Sequence, residues 1–328
     1  MKTRIIDWRE ADPDQLRDLY ARFPYPPYFG SPIVNDRLQA YRLHQVLEAA
    51  EADPGTLLAG VAGDRVLCAA QLRRTAHLSD HFGIEVASIA NEAFACDGHA
   101  DNVSVFNLMV ETLRRQAKHR GVAFLSTTAA SQAYQWIRAL EENGFRYADG
   151  FRHVTAPTDD DYSGFLRDDL VMRAPVESDF EEIAYSYANM PFPNHLLHEP
   201  EFDKEKVIRL YVRRFREVHE KLGRVFVAEW QGRFAGALNG IIDEAIRSKL
   251  GIAVNHLSQG LIVHPRAAGK GVALALIADR NPWYREQGVQ WGYFGSNINN
   301  IAMIRGLERM RMRHAGIEIS MILRLEGR

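Results

Sequence analysis

Cysteine is scarce in this chain: Cys68 and Cys96 are the only two among 328 residues. Two cysteines make no disulfide framework, so a reducing, cytoplasmic setting is expected. No apolar run approaches the ~20 residues that cross a bilayer, and no export signal opens the chain, so membrane insertion and secretion are not expected. An excess of charge of one sign is also missing. Lys and Arg number 40 against 42 Asp and Glu, for a net charge of -2, which argues against a nucleic-acid or anionic-membrane partner. Two phosphate-binding signatures are absent: there is no Gly-x-x-x-x-Gly-Lys-Ser/Thr and no complete Gly-x-Gly-x-x-Gly.

Hydrophobic content of 46% and charged content of 25% are ordinary for a globular chain, and the length suggests two domains, each with its own core. Hydrophobic periodicity predicts strand 3–7, a helix from Asp12-Pro13 with Leu16, Leu19 and Tyr20 on one face, and a helix over 37–52. A hairpin over 57–72, strand 84–93, helix 104–120 with Val105, Leu108, Met109, Thr112 and Leu113 in helical spacing, strand 123–128, helix 132–143 and strand 152–155 follow. Residues 157–164, with three consecutive aspartates, read as a linker between domains 1–156 and 165–328. The second half then repeats the pattern: strand 170–173, helices 178–188 and 203–222, a hairpin over 224–242, strand 255–263, a helix from Val272, strand 290–297, helix 300–312 and strand 318–325. Pro282 is expected to kink or break the helix that starts at Val272. Leu-Ala-Gly-Val-Ala-Gly at 58–63 answers Val-Ala-Glu-Trp-Gln-Gly at 227–232. A repeat this long means two copies of one mixed α/β domain, not a solenoid.

One stretch organises the second copy: Leu261-Ile-Val-His-Pro-Arg-Ala-Ala-Gly-Lys-Gly-Val-Ala-Leu-Ala-Leu-Ile277. A short β-branched run stops at Pro265, a turn with Gly269, Lys270 and Gly271 follows, and an apolar helix opens at Val272. Glycines let the backbone approach an anion closely, and the free N–H groups of the first helical turn point at it. Lys270 adds a mobile positive charge. The stretch resembles the acyl-CoA-binding segment of the Gcn5-related N-acetyltransferases, Val-x-Pro-x-x-Arg/Gln-Gly-x-Gly-x-Gly/Ala. Val263, Pro265, Gly269, Gly271 and Ala273 match, whereas the usual Arg/Gln falls on Ala268, with Arg266 two places early.

The first copy has Cys96-Asp-Gly-His-Ala-Asp-Asn102 at the same place. One glycine remains, and Asp97 and Asp101 would repel a pyrophosphate, so this copy is expected to lack the cofactor cradle. It keeps Leu140-Glu-Glu-Asn-Gly-Phe145, similar to the closing Leu/Tyr-x-x-x-Gly-Phe of that family. Ser79-Asp-His-Phe-Gly83 resembles the Asp-Ser-x-Phe-Phe-Gly opening of sugar-nucleotide amine acetyltransferases of the dTDP-fucosamine acetyltransferase type. The segment from Asn194 to Tyr211 is similar to the one before their second hairpin.

The resemblance implies a mixed α/β fold of two tandem acetyltransferase-like domains, each a mostly antiparallel sheet flanked by helices. It also implies attack of a small-molecule amine, such as an amino sugar, on acetyl-CoA or another acyl-CoA. Leu261, Ile262 and Val263 would pair with pantetheine, Ala268, Gly269, Lys270, Gly271, Val272 and Ala273 would hold the pyrophosphate, and Asn297 and Asn300 would add contacts. Asparagines after a strand serve equally as turn and cap residues. His256, on the strand leading to the cradle, is the candidate base, although a core or surface histidine fits the same pattern. Asn194 and His195 are candidate acceptor contacts. His195, His198 and Glu199 lack a third distant ligand, so no metal is expected. The family's thiolate-protonating tyrosine would fall on Gly306 or Leu307, and no tyrosine follows Tyr293. A non-catalytic acyl-CoA-binding module is the alternative. Either a monomer or a homodimer is compatible with the sequence.

Overall fold

The computed structural model describes residues 2–96, 100–191, 195–257 and 260–325, without the side chains of residues 100 and 101. The first eleven elements are β1 (Thr3–Asp7), α1 (Pro13–Arg22), α2 (Asp36–Ala52), β2 (Leu57–Ala62), β3 (Arg65–Arg74), α3 (Ala76–Phe82), β4 (Val86–Phe94), α4 (Ala100–His119), β5 (Phe124–Ala130), α5 (Tyr134–Glu142) and β6 (Arg146–Pro157). The next eleven are β7 (Leu170–Arg173), α6 (Asp179–Ala188), α7 (Lys204–Glu217), β8 (Gly223–Trp230), β9 (Arg233–Ile241), α8 (Glu244–Leu250), β10 (Leu261–Val263), α9 (Val272–Glu286), β11 (Trp291–Asn297), α10 (Ile301–Arg309) and β12 (Arg313–Arg324). The second series repeats the first element for element.

Two compact units result, and each draws on both halves of the chain. One comprises Met1–Phe29, Val34–Gly150 and Gly316–Arg328, and the other Gly30–Ile33 and Phe151–Ala315. In the N-terminal unit β1, β2, β3 and β4 form an antiparallel run and β4 joins β5 in parallel, but only over Val86–Ser88. The last strand completes this sheet, with Glu318–Arg324 antiparallel to Ala130–Phe124. Its core gathers the apolar faces predicted from periodicity: Leu16, Leu19 and Tyr20 of α1, and Val105, Met109 and Leu113 of α4. Trp136 of α5 stacks on Phe94, with ring centroids 5.3 Å apart. Each such side chain, fully buried, contributes ~1.5–3 kcal/mol.

In the second unit the strand order is β10-β9-β8-β7, and β11 pairs antiparallel with residues 151–157 of β6. The β8–β9 hairpin turns through Gln231 (φ 52°) and Gly232 (φ 69°), two left-handed residues that match the strand twist. Apolar residues of α9 pack on the sheet with Ala235 and Leu238, and Phe215 and Val218 pack with Val225, Val227 and Ile262 in a separate cluster. The acidic stretch 157–164 is not bare of buried groups: Thr158 and Tyr162 are buried, and the Asn281 amide donates to the Thr158 carbonyl at 2.8 Å.

Three local expectations are corrected. The strand expected over 255–263 contracts to Leu261–Val263, with Asn255 forming only an isolated bridge to Ile242. Helix α8 was not foreseen: Asp243 caps it through Ile246 N–H, and Gly251 (φ 67°) ends it. Helix α9 runs through Pro282 to Glu286 without breaking. Its last turn is held by packing, because Tyr284 is buried with Ile242 and Val289.

Candidate functional site

The site begins at an unfinished sheet edge. β10 pairs with β9 through Leu261–Leu238, Ile262–Ala237 and Val263–Gly236, and among the described residues no strand pairs with its other edge. Ile262 is buried towards Phe215 and Val227, while Leu261 and Val263 lie half-buried against the α9 cluster. The backbone groups on the open edge of a strand are donors and acceptors in search of a partner.

One side chain of the loop before β10 is fixed to β11. Asn255 is fully buried; its Nδ2 donates to the Tyr293 carbonyl at 2.7 Å and its Oδ1 accepts from the Tyr293 N–H at 2.8 Å. The amide thereby satisfies β11 where a neighbouring strand would otherwise do so.

Beyond Val263 the chain enters a 3-10 turn, Pro265–Ala267, capped by His264, whose Nδ1 accepts from the Arg266 N–H at 3.1 Å. Nε2 is therefore the protonated nitrogen, 3.1 Å from Glu182 Oε2 on α6. Arg266 is bound to the same carboxylate, and Tyr185 stacks on the imidazole. Burial and the Arg266 charge lower the His264 pKa. Arg266 is thus engaged in bracing the turn against α6.

Residues 268–271 are exposed. Gly269 (φ 75°) and Gly271 (φ 76°) are both left-handed, and Gly271 is the N-cap of α9. Leu274 and Ala275 N–H return to the Gly271 carbonyl, and helix geometry leaves the amides of Val272 and Ala273 free of intrahelical partners. Two cations flank these amides. Lys270 Nζ lies 5.4 Å from the centre of the Trp230 ring. A Cβ built on Gly271 would be 3.6 Å from Arg167 Cδ. Arg167 pairs with Asp169 at 2.8 and 2.9 Å, Trp230 Nε1 donates to the same carboxylate at 3.2 Å, and the Arg167 bond lowers the Asp169 pKa. The sequence reading missed Arg167; its only signal was a basic residue next to the acidic stretch.

The remaining candidates separate into distinct places. Asn297 Oδ1 accepts from Asn299 N–H at 2.8 Å, and Asn300 Oδ1 caps α10 through Met303 N–H at 3.1 Å, so both carbonyls are used locally. His256, expected on a strand, lies in the loop before β10, and its N–H donates to the Ile241 carbonyl. Burial lowers its pKa, with Asp243 opposing and Arg214 adding to the shift. His195 opens a 3-10 turn, His195–Leu197, and Asn194 lies outside the described residues. Among the described residues no group of three or more His, Cys, Asp or Glu is placed to hold a metal ion. At Gly306 a Cβ would meet Leu274 Cδ2 at 2.7 Å, and Leu307 is buried. At Gly306, α10 therefore lies close against Leu274 on the first turn of α9.

No protein-family model and no curated protein matches the chain. Solved structures do. The GCN5-related N-acetyltransferase from Sphaerobacter thermophilus is similar over 99% of this chain and 97% of its own, with a TM-score of 0.62 and 13% identity. The tandem GNAT protein from the clavulanic acid biosynthesis pathway is similar over 98% of both chains, at TM-score 0.52 and 14% identity. The fold is that of a tandem GNAT protein. In this tandem GNAT fold the open edge of β10 and the glycine turn both belong to the second copy. At the equivalent place in the first copy, residues 97–99 lie outside the described residues, and Asn102 at the start of α4 donates to the Ala95 carbonyl at 3.3 Å. No helix among the described residues is long and apolar enough to cross a membrane.

Proposed function

We propose that the chain is an N-acyltransferase that moves an acyl group, acetyl in the simplest case, from acyl-CoA to the amine of a small molecule. The observation that carries this reading is the continuity of the open β10 edge with the Gly269–Gly271 turn and the exposed N-terminus of α9. Leu261, Ile262 and Val263 would hold pantetheine by backbone pairing. The amides of Gly271, Val272 and Ala273 would hold the pyrophosphate, with Lys270 and Arg167 as the nearby cations. Bound acyl-CoA supplies an activated thioester. The protein's own tasks are then to align the amine, to exclude water and to take its proton. His256 is the proposed proton acceptor: a depressed pKa keeps its imidazole neutral and able to accept at neutral pH. Asn194 and His195 are proposed acceptor contacts. The stretches at 79–83 and 194–211 favour an amino sugar as the acceptor class, and the N-terminal copy acts without a cofactor of its own.

A second reading rests on Gly306 and Leu307. One is packed against Leu274 and the other is buried, so neither position offers a donor for a departing thiolate. A protein that binds acyl-CoA without turning it over accords with that arrangement. Incubation with acetyl-CoA and a panel of amines, read by release of free thiol, separates the two. Release that depends on an added amine supports transfer; tight binding of acetyl-CoA with no release under any amine supports the binding module.

A further inference from the structure

The turn that leads from the open β10 edge to the N-terminus of α9 is built around one imidazole. The His264 N–H donates to the Ala235 carbonyl at 2.8 Å, continuing the pairing with β9, and the His264 carbonyl accepts from Ala267 N–H at 2.9 Å. The side chain caps the 3-10 turn Pro265–Ala267. Its Nδ1 accepts twice, from Arg266 N–H at 3.1 Å and from Arg266 Nε at 3.0 Å. Its Nε2 lies 3.1 Å from Glu182 Oε2, the oxygen that also accepts from Arg266 Nη2. Tyr185 stacks on the ring with centroids 5.1 Å apart, and Phe234 meets it edge-on at 6.3 Å.

Among the described residues, the side-chain hydrogen bonds and ion pairs that tie residues 264–271 to another element are those of His264 and Arg266 to Glu182. The arrangement has room for one ring proton, on Nε2. A second proton on Nδ1 would aim an N–H at two N–H donors, because an imidazolium has no acceptor left. It would also set a positive ring beside the Arg266 guanidinium. Arg266 of the same turn and Glu182 of α6 are the charged groups that act on the ring, and of the two only the carboxylate favours its protonation. Residues 261–263 and 269–273 would hold two parts of one extended ligand, so the set of the turn between them decides whether both can bind at once.

We propose that His264 is the positioning residue of the acyl-CoA turn: with Nε2–H held on Glu182, its unprotonated Nδ1 fixes the turn that carries Gly269 and Gly271, and protonation of the ring releases that turn and weakens acyl-CoA binding. The inference rests on the acyl-CoA reading of this site. Affinity is then full while the imidazole is neutral and falls as pH drops through its pKa. Burial and Arg266 place that pKa below its ordinary value, with Glu182 opposing them.

The test is titration of the full chain with acetyl-CoA from about pH 8 down to about pH 5, beside the exchange protection of the Arg266 N–H over the same range. The ligand's own phosphates titrate there too, but alike for every variant. His264→Asn keeps a capping acceptor that cannot be protonated, and His264→Ala keeps none. At pH 7.5 the Asn variant should bind about fivefold or more tightly than the Ala variant. The wild type should lose affinity towards pH 5 by about fivefold more than the Asn variant does, and Arg266 N–H protection should fall with it. Glu182→Gln removes the carboxylate that favours the imidazolium, so the acid loss should move to lower pH, a shift that a merely structural brace would not give. With acetyl-CoA bound, an equal acid loss in the wild type and His264→Asn, or Arg266 N–H protection that holds throughout, would overturn this assignment alone. Loss of protection with no acetyl-CoA binding at any pH would overturn the acyl-CoA reading and this assignment with it.

Discussion

The Asn255 side chain grips the backbone of Tyr293 at both its N–H and its carbonyl, at 2.8 and 2.7 Å. It thereby completes the edge of β11 without adding a strand. β10 itself spans only Leu261–Val263, and among the described residues no strand pairs with its outer edge, the feature on which the proposed cofactor site depends.

Replacing Asn255 with Ala would leave two buried backbone groups of β11 unmatched. Each such group costs ~1–3 kcal/mol, so Asn255→Ala should lose ~2–5 kcal/mol of stability in urea unfolding. A loss under about 0.5 kcal/mol would mean that water replaces the side chain at no cost.

Gly271→Asp should abolish acetyl-CoA binding while Gly271→Ala only weakens it. Both residues strain the left-handed backbone at φ 76°, but only Asp sets a negative charge at the start of α9, where the pyrophosphate is proposed to lie. Titration calorimetry showing equal affinities for the two variants would contradict the assignment.

For His256, the imidazole must be neutral to accept a proton, so activity should fall as pH drops through its pKa. Burial lowers that pKa, which sets the acidic limb of the rate profile below the ordinary value of ~6.5. His256→Ala should cut turnover by ~10²-fold or more and remove that limb while acetyl-CoA affinity stays the same. Wild-type turnover in the variant would hand the proton to water or to the backbone.

Glu92 makes stability depend on pH in the opposite sense to a paired carboxylate. Its folded pKa of about 7 lies above the ordinary ~4.3, so the folded state disfavours the charge. The resulting destabilisation is absent below about pH 4, grows as pH rises and is complete above about pH 7. Glu92→Gln should therefore match the wild type at pH 4 and exceed it at pH 8, by up to ~3 kcal/mol. Equal melting temperatures at both pH values would show that the charge is not confined.

A fragment that starts at residue 165 should not fold. Trp291–Asn297 pairs along its whole length with residues 151–157, and Glu318–Arg324 pairs with β5, so the cut strips one strand of its partner and leaves another unpaired. Aggregation or non-cooperative melting is expected; a monomeric fragment with cooperative unfolding would refute this.

Much of this protein is legible in its sequence by itself. Apolar spacing located Leu16, Leu19 and Tyr20 on one face of α1 and Val105, Met109 and Leu113 on one face of α4, because helical and strand periods are local properties of the chain. Gly269 and Gly271 marked the turn for the same reason: a left-handed backbone position calls for glycine wherever it occurs. The repeat of two similar halves was equally open to inspection. Tertiary structure decided the rest. The last strand of each half pairs in the other unit, and Asn255, six residues ahead of β10, holds β11 in place of a neighbour. It also set Gly306 against Leu274, Arg167 beside Gly271, and Tyr20 and Arg42 on the backbone carbonyls of Asn91 and Glu92. None of these has a sequence period, because each joins residues distant in the chain through hydrogen bonds or close packing that exist only once the sheets have formed.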